Sequence, residues 1–177
     1  MFSKDFYEKI EEQVSKLLLL EGVESYPVPV EKIALSLGVD VMPYNLGEEV
    51  SGILAINDGK GTIGYNLQHS KGRQRFTVAH ELGHYIMHRN TKKELFVDKD
   101  YILKFRSNKK YSSTELKQER EANAFAAALL MPKDFILSEL AKEQTITENE
   151  LIEVLAKRFE VSVPAMTYRI ADLNSFL

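Results

Sequence analysis

The chain has 177 residues, 44% of them hydrophobic and 28% charged, which suits one soluble domain or a core with a small helical appendage. It has no cysteine, which excludes disulfides and thiolate metal sites, and no stretch approaches the roughly 18 uninterrupted apolar residues of a membrane span. The net charge of −3 hides a division: residues 89–110 hold eight Lys and Arg against three Asp and Glu, a net of +5, leaving −8 for the remainder.

Residues 1–9 lack a signal-peptide pattern, so a cytoplasmic location is expected. Residues 4–21 place Phe6, Ile10, Val14, Leu17 and Leu18 on one stripe at helical spacing. A second helix is predicted from about Val30 to Leu37, ending at Gly38. Residues 39–44 read as a strand, and 51–57 with 62–66 as a hairpin turned by Asp58-Gly-Lys-Gly61. Two or three antiparallel strands are therefore expected, whose edge could accept an extended substrate through main-chain hydrogen bonds.

The next helix, Arg75 to His88, contains His80-Glu81-Leu82-Gly83-His84, an H-E-x-x-H motif. Residues four apart stand one turn above each other on one helical face, so both imidazoles can reach one zinc ion. Glu81 then projects beside them as a general base for water. The bland reading is an amphipathic helix with two surface histidines. Three of the four histidines in the chain fall at 80, 84 and 88, which favours a site. Gly83 lies between the ligand positions at a cost of about 1 kcal/mol in helix propensity, as if something approached the backbone there. His88 lies ~9 Å along the axis from an ion between residues 80 and 84, too far to bind it. It reads as a C-terminal helix histidine, or as a residue at the rim of the cleft. His69 falls in a predicted loop and is a poor ligand candidate.

The basic stretch 89–110 reads as a solvated connector; the sharper alternative is a surface for an acidic protein segment. Residues 113–131 predict another helix, with Thr114 at its start and Pro132 marking its end. Glu119, Ala122, Asn123, Ala126, Ala127 and Leu130 share one face, whose small residues would let it pack on the Gly83 side of the preceding helix. That face would bring Glu119 to the metal and Asn123 to a metal-binding side chain as its hydrogen-bond partner. Glu121 is the rival ligand, on a face continuing into Phe125 and Leu129.

Three further helices are predicted at about 133–142, 147–158 and 163–173. The last two have the length and spacing of a helix-turn-helix, which raises DNA binding as a rival function. Residues 147–177 carry three basic against five acidic residues, and a net of −2 argues against direct DNA binding.

The sequence resembles the ImmA/IrrE-type metallopeptidases. The resemblance rests on Arg75-Phe-Thr-Val-Ala-His-Glu-Leu-Gly-His84 and on Glu119-Arg-Glu-Ala-Asn-Ala-Phe-Ala-Ala-Ala-Leu-Leu-Met-Pro132. It extends to Pro27–Gly38 and Leu155–Ser162, and so covers nearly the whole chain in the usual order. It implies a gluzincin-like core with one zinc held by His80, His84 and Glu119, Glu81 as general base, and Asn123 at the family's asparagine. The expected fold class is α+β: a small antiparallel sheet of about three strands packed with a zincin-type helical core, followed by C-terminal helices. The expected organisation is a metallopeptidase core over 1–132 with 133–177 as a helical segment packed on it.

The implied function is site-specific cleavage of a protein partner, a helix-turn-helix repressor, which relieves repression in a mobile element or stress response. The alternative is a non-catalytic zinc-containing regulator that binds a repressor or DNA. An intact Glu81 argues for the enzyme, since a structural site needs no base. Tyr65, Tyr85, His88 and Arg106 stand as equal candidates for stabilising the developing oxyanion.

Overall fold

Asp58 and Gly59 both adopt left-handed backbone conformations, with φ of 49° and 80°. A two-residue hairpin turn of this kind matches the natural twist of the strands it joins. In the computed structural model, which describes residues 4–88, 95–99, 112–142 and 147–174, this turn links β2 (Val50–Asn57) to β3 (Lys60–Asn66). The first strand, β1 (Val39–Tyr44), pairs with β3 in parallel, from Val39 opposite Gly61 to Tyr44 opposite Asn66. A fourth strand, β4 (Leu95–Lys99), runs antiparallel to β2 on its other side. The sheet order is β1-β3-β2-β4.

The expectation of an antiparallel sheet of about three strands is thus corrected to a mixed sheet of four. Residues 45–49 turn the chain back after β1, but β2 lies one strand away, and the tight turn sends β3 into the slot between them. Strand β4 lies inside the basic stretch read as a connector, where Leu95-Phe96-Val97 is too short a run to announce itself. The other residues of that stretch, Arg106 among them, lie outside the described residues.

Seven helices are found among the described residues: α1 (Lys4–Leu20), α2 (Val30–Ser36), α3 (Lys71–His88), α4 (Ser113–Leu130), α5 (Lys133–Lys142), α6 (Glu148–Phe159) and α7 (Val163–Asn174). The fold is α+β. Helix α4 is capped by Ser112, not Thr114: Ser112 Oγ accepts from the Glu115 N–H at 3.1 Å, and the Glu115 carboxylate accepts from the Ser112 N–H at 2.9 Å. This reciprocal pair satisfies two backbone donors that a bare helix start leaves open. Thr147 and Glu150 make the same arrangement ahead of α6. None of the described helices is long and apolar enough to cross a membrane.

Contacts group the chain into two compact units, Val30–Ala126 and a second made of Met1–Pro29 with Ala127–Leu177. The boundary expected from the sequence lies at Pro132, with the N-terminal helix in the core. In the first unit, α3 lies on the sheet. Two strand glycines permit this: a Cβ on Gly61 would stand 2.9 Å from the Tyr85 ring, and one on Gly52 only 2.2 Å from Thr77 Cγ2. Leu54 and Ile63 from the sheet and Val78, Ala79 and Leu82 from α3 are fully buried.

In the second unit, Ile10, Val14 and Leu18 of α1 are buried, as are Met131, Ile136, Leu155, Phe159 and Met166. Buried Arg169 donates to the Met131 carbonyl at 2.9 Å and holds the Glu11 carboxylate at 2.6 and 3.0 Å, which joins α7 to α1. Tyr26 stacks on Phe159, with ring centroids 4.4 Å apart.

Candidate metal centre

Two helices of the Val30–Ala126 unit build the site. Gly83 lets them meet: a Cβ there would stand 3.2 Å from Ala122 Cα and 3.1 Å from the Phe125 ring. The small-residue face of α4 therefore packs against the Gly83 side of α3, as its spacing predicted. Ala122 and Ala126 are fully buried.

This approach brings Glu119 to the two imidazoles. His80 Nε2 and His84 Nε2 are 3.1 Å apart. One Glu119 oxygen lies 3.6 Å from His80 Nε2, and the other lies 3.6 Å from His84 Nε2. Zinc ligands at ~2.0–2.1 Å in tetrahedral arrangement stand ~3.3 Å from one another. The spacing of the three donors fits a shared ion. Among the described residues, His80, His84 and Glu119 are the group whose ligand atoms could hold one metal. Glu121 and His69 are not in that group. The histidine side chains are 3% and 2% exposed and that of Glu119 is 21% exposed, so the site faces solvent on its carboxylate side.

The outer nitrogens of both imidazoles are engaged. His80 Nδ1 lies 3.0 Å from Asn123 Oδ1. With the amide oxygen as acceptor, His80 carries its proton on Nδ1 and presents a lone pair at Nε2. His84 Nδ1 lies 3.1 Å from His88 Nδ1, and His88 Nε2 lies 3.0 Å from Glu121 Oε2. Sequence spacing does not show this chain: by spacing His88 is a helix-end or rim residue, yet it is only 6% exposed, and Glu121 is a rival ligand, yet it holds His88. The available signal was the second four-residue step from His84 to His88 on one helical face.

Glu81 is fully buried, and a Cβ on Gly52 would stand 3.2 Å from its Oε1, so its carboxylate lies over β2. The Phe96 ring of β4 lies 4.8 Å from that of His84, a neighbour the sequence reading did not anticipate. Of the oxyanion candidates, Tyr85 is buried with its hydroxyl donating to the Gly59 carbonyl, and His88 is held by Glu121. Tyr65 pairs directly with Gly52, whose Cβ would stand 3.2 Å from Glu81 Oε1. Arg106 lies outside the described residues.

The IrrE N-terminal-like domain family matches the chain over residues 34–171, a span that includes the whole of this site. The chain belongs to that family. Among curated relatives, the IrrE-like chain is 36% identical over 102 residues to the radiation response metalloprotease IrrE of Deinococcus radiodurans. It is 29% identical over 114 residues to the metallopeptidase ImmA of Bacillus subtilis, and 27% identical over 143 residues to immunity region protein 2 of Bacillus phage phi105. These matches cover 56%, 64% and 81% of the chain, and 27%, 56% and 78% of the respective relatives. Thus the chain spans only part of the length of IrrE and of ImmA. A Mycobacterium tuberculosis transcriptional regulator shares the IrrE-like fold with a TM-score of 0.63 at 14% identity, over 94% of this chain and 49% of that one.

Proposed function

We propose that the chain is a zinc-dependent endopeptidase that cleaves a helix-turn-helix repressor at a specific site and so relieves repression in a mobile element or stress response. The observation that carries this reading is the set of three donors, all within 4.8 Å of one another, in which Glu119 of α4 meets the two histidines that flank Glu81 on α3. The metalloprotease and metallopeptidase names of two relatives, and the immunity-region name of a third, support it. Two imidazoles and one carboxylate are a donor set zinc accepts, and three protein ligands leave one position open for chemistry.

Within this reading, His80, His84 and Glu119 hold the ion, and Asn123 fixes the tautomer of His80. The bound ion would supply an acidified water and polarise the scissile carbonyl. Glu81 accepts the proton of the attacking water and delivers it to the departing amine. Its burial keeps that proton away from bulk solvent. Buried Arg169 is held by Glu11 and the Met131 carbonyl, which takes one of the three basic residues of the last two helices away from any nucleic-acid surface. That supports a protein substrate over DNA.

The test is incubation of zinc-replenished protein with the helix-turn-helix protein encoded by a neighbouring gene, resolved on a gel. One discrete pair of fragments is expected, absent with chelator and with Glu81→Gln. An uncut repressor in the presence of zinc-loaded protein would overturn the proposal.

A further inference from the structure

We propose that Glu121 and His88 are positioning residues for the metal centre: a two-link hydrogen-bond chain that fixes His84 in the tautomer able to bind an ion. The proposal rests on the metal reading above and concerns two residues outside its ligand set.

A carboxylate accepts hydrogen bonds and donates none. Glu121 Oε2 stands 3.0 Å from His88 Nε2, so the proton of a neutral His88 sits on Nε2 and its Nδ1 is a bare acceptor. That acceptor faces His84 Nδ1 at 3.1 Å. His84 must then carry its own proton on Nδ1, which leaves the lone pair of Nε2 directed at the cluster of His80 and Glu119. One acceptor-only group thus sets the state of two rings in series. The opposite tautomer of His84 would place a proton where the ion has to sit, and would set two bare Nδ1 atoms against each other.

The two ligand histidines are therefore held by different devices from the same helix. Asn123 of α4 acts on His80 directly. Glu121, two residues earlier, acts on His84 through the ring of His88. Helix α4 thus contributes a ligand and both anchors at positions 119, 121 and 123. Burial keeps the chain intact: the His88 side chain is 7% exposed and that of Glu121 16%, so water competes little for the links. Lys117 Nζ lies 3.7 Å from the other Glu121 oxygen.

Partners of this kind typically change metal affinity by about 10–100-fold. The experiment is zinc affinity of the full chain by chelator competition, with the tautomer of His84 read from imidazole nitrogen shifts of the metal-free wild type at about pH 8, above the ordinary histidine pKa. Glu121→Ala and His88→Leu are each expected to weaken zinc binding by about 10–100-fold. His88→Gln should recover most of that loss, because its amide oxygen can accept from His84 and its amide nitrogen can donate to Glu121. Metal-free wild type should show His84 protonated at Nδ1. A purely structural tie between α3 and α4 would lower thermal stability but leave affinity unchanged. Unchanged affinity in both variants, or a His84 proton on Nε2 in the wild type, overturns the proposal; the second readout needs no substitution that could impair folding. A wild type that takes up no zinc at all overturns the metal reading, and this proposal with it.

Discussion

Gly83 of α3 sits against the backbone of Ala122 in α4, so close that a methyl group at Gly83 would approach Ala122 Cα to 3.2 Å. The distance between these two helices sets the distance between the imidazoles and the Glu119 carboxylate. Gly83→Val should force the helices apart, costing about 1–3 kcal/mol as overpacking does. It should also weaken zinc binding more than a destabilising substitution remote from the site, because it moves Glu119. Thermal unfolding together with chelator competition checks both halves.

Metal retention separates the ligands from the base. Glu119→Ala and His84→Ala are expected to leave the protein without stoichiometric zinc. Glu81→Gln should keep the metal and lose about 10²–10⁴ in cleavage rate, since only proton transfer is removed. Elemental analysis of each purified variant, beside a cleavage assay, decides the matter. Zinc retained by Glu119→Ala at wild-type affinity would remove Glu119 from the ligand set.

Gly52 is the strand position over which Glu81 lies. A Cβ there would meet Thr77 Cγ2 at 2.2 Å and Glu81 Oε1 at 3.2 Å. Gly52→Ala should therefore destabilise the fold by about 1–3 kcal/mol and lower the cleavage rate by displacing the base. Adding Thr77→Ser removes the clashing methyl and should restore much of the stability. The double variant, measured by denaturant unfolding, tests whether Thr77 is the obstacle.

Stability against acid should depend on Glu139. The Lys142 ammonium, the Tyr26 hydroxyl and the Arg158 guanidinium hold its carboxyl below the ordinary value of 4.5, against burial, which pushes it up. A carboxyl whose folded pKa lies below its unfolded one adds stability at pH above the unfolded value, and that stability goes as pH falls through the folded value. Wild type should thus lose melting temperature steadily below about pH 4.5, the range in which an unfolded carboxyl takes up its proton. Glu139→Gln should start lower near neutral pH and show a flatter decline. A parallel decline in the two proteins would rule Glu139 out.

Much of the site was legible because its residues lie at helical spacing. His80, Glu81 and His84 stand within one turn, and Glu119, Ala122, Asn123 and Ala126 trace one face of α4. Local pattern sufficed for both helices, and two small-residue surfaces said where they could touch. The Glu121–His88–His84 chain was less accessible. Its link from His88 to Glu121 joins residues 33 apart across a helix pair, and no spacing rule says which of two carboxylates turns towards the paired imidazoles and which towards His88. Strand β4 was hidden for another reason: Leu95, Phe96 and Val97 are flanked by charges, and pairing with β2 rather than intrinsic pattern makes them a strand. The parallel alignment of β1 with β3 follows from where the chain goes after Tyr44, which alternation of apolar residues cannot report.

Unequal shielding of the three donors has a kinetic side. The His80 and His84 side chains are walled in, whereas that of Glu119 is partly open to water. In the proposed zinc centre Glu119 would therefore be the ligand most open to a competing chelator, and the lifetime of the loaded state would depend on how firmly one side chain near the start of α4 is held.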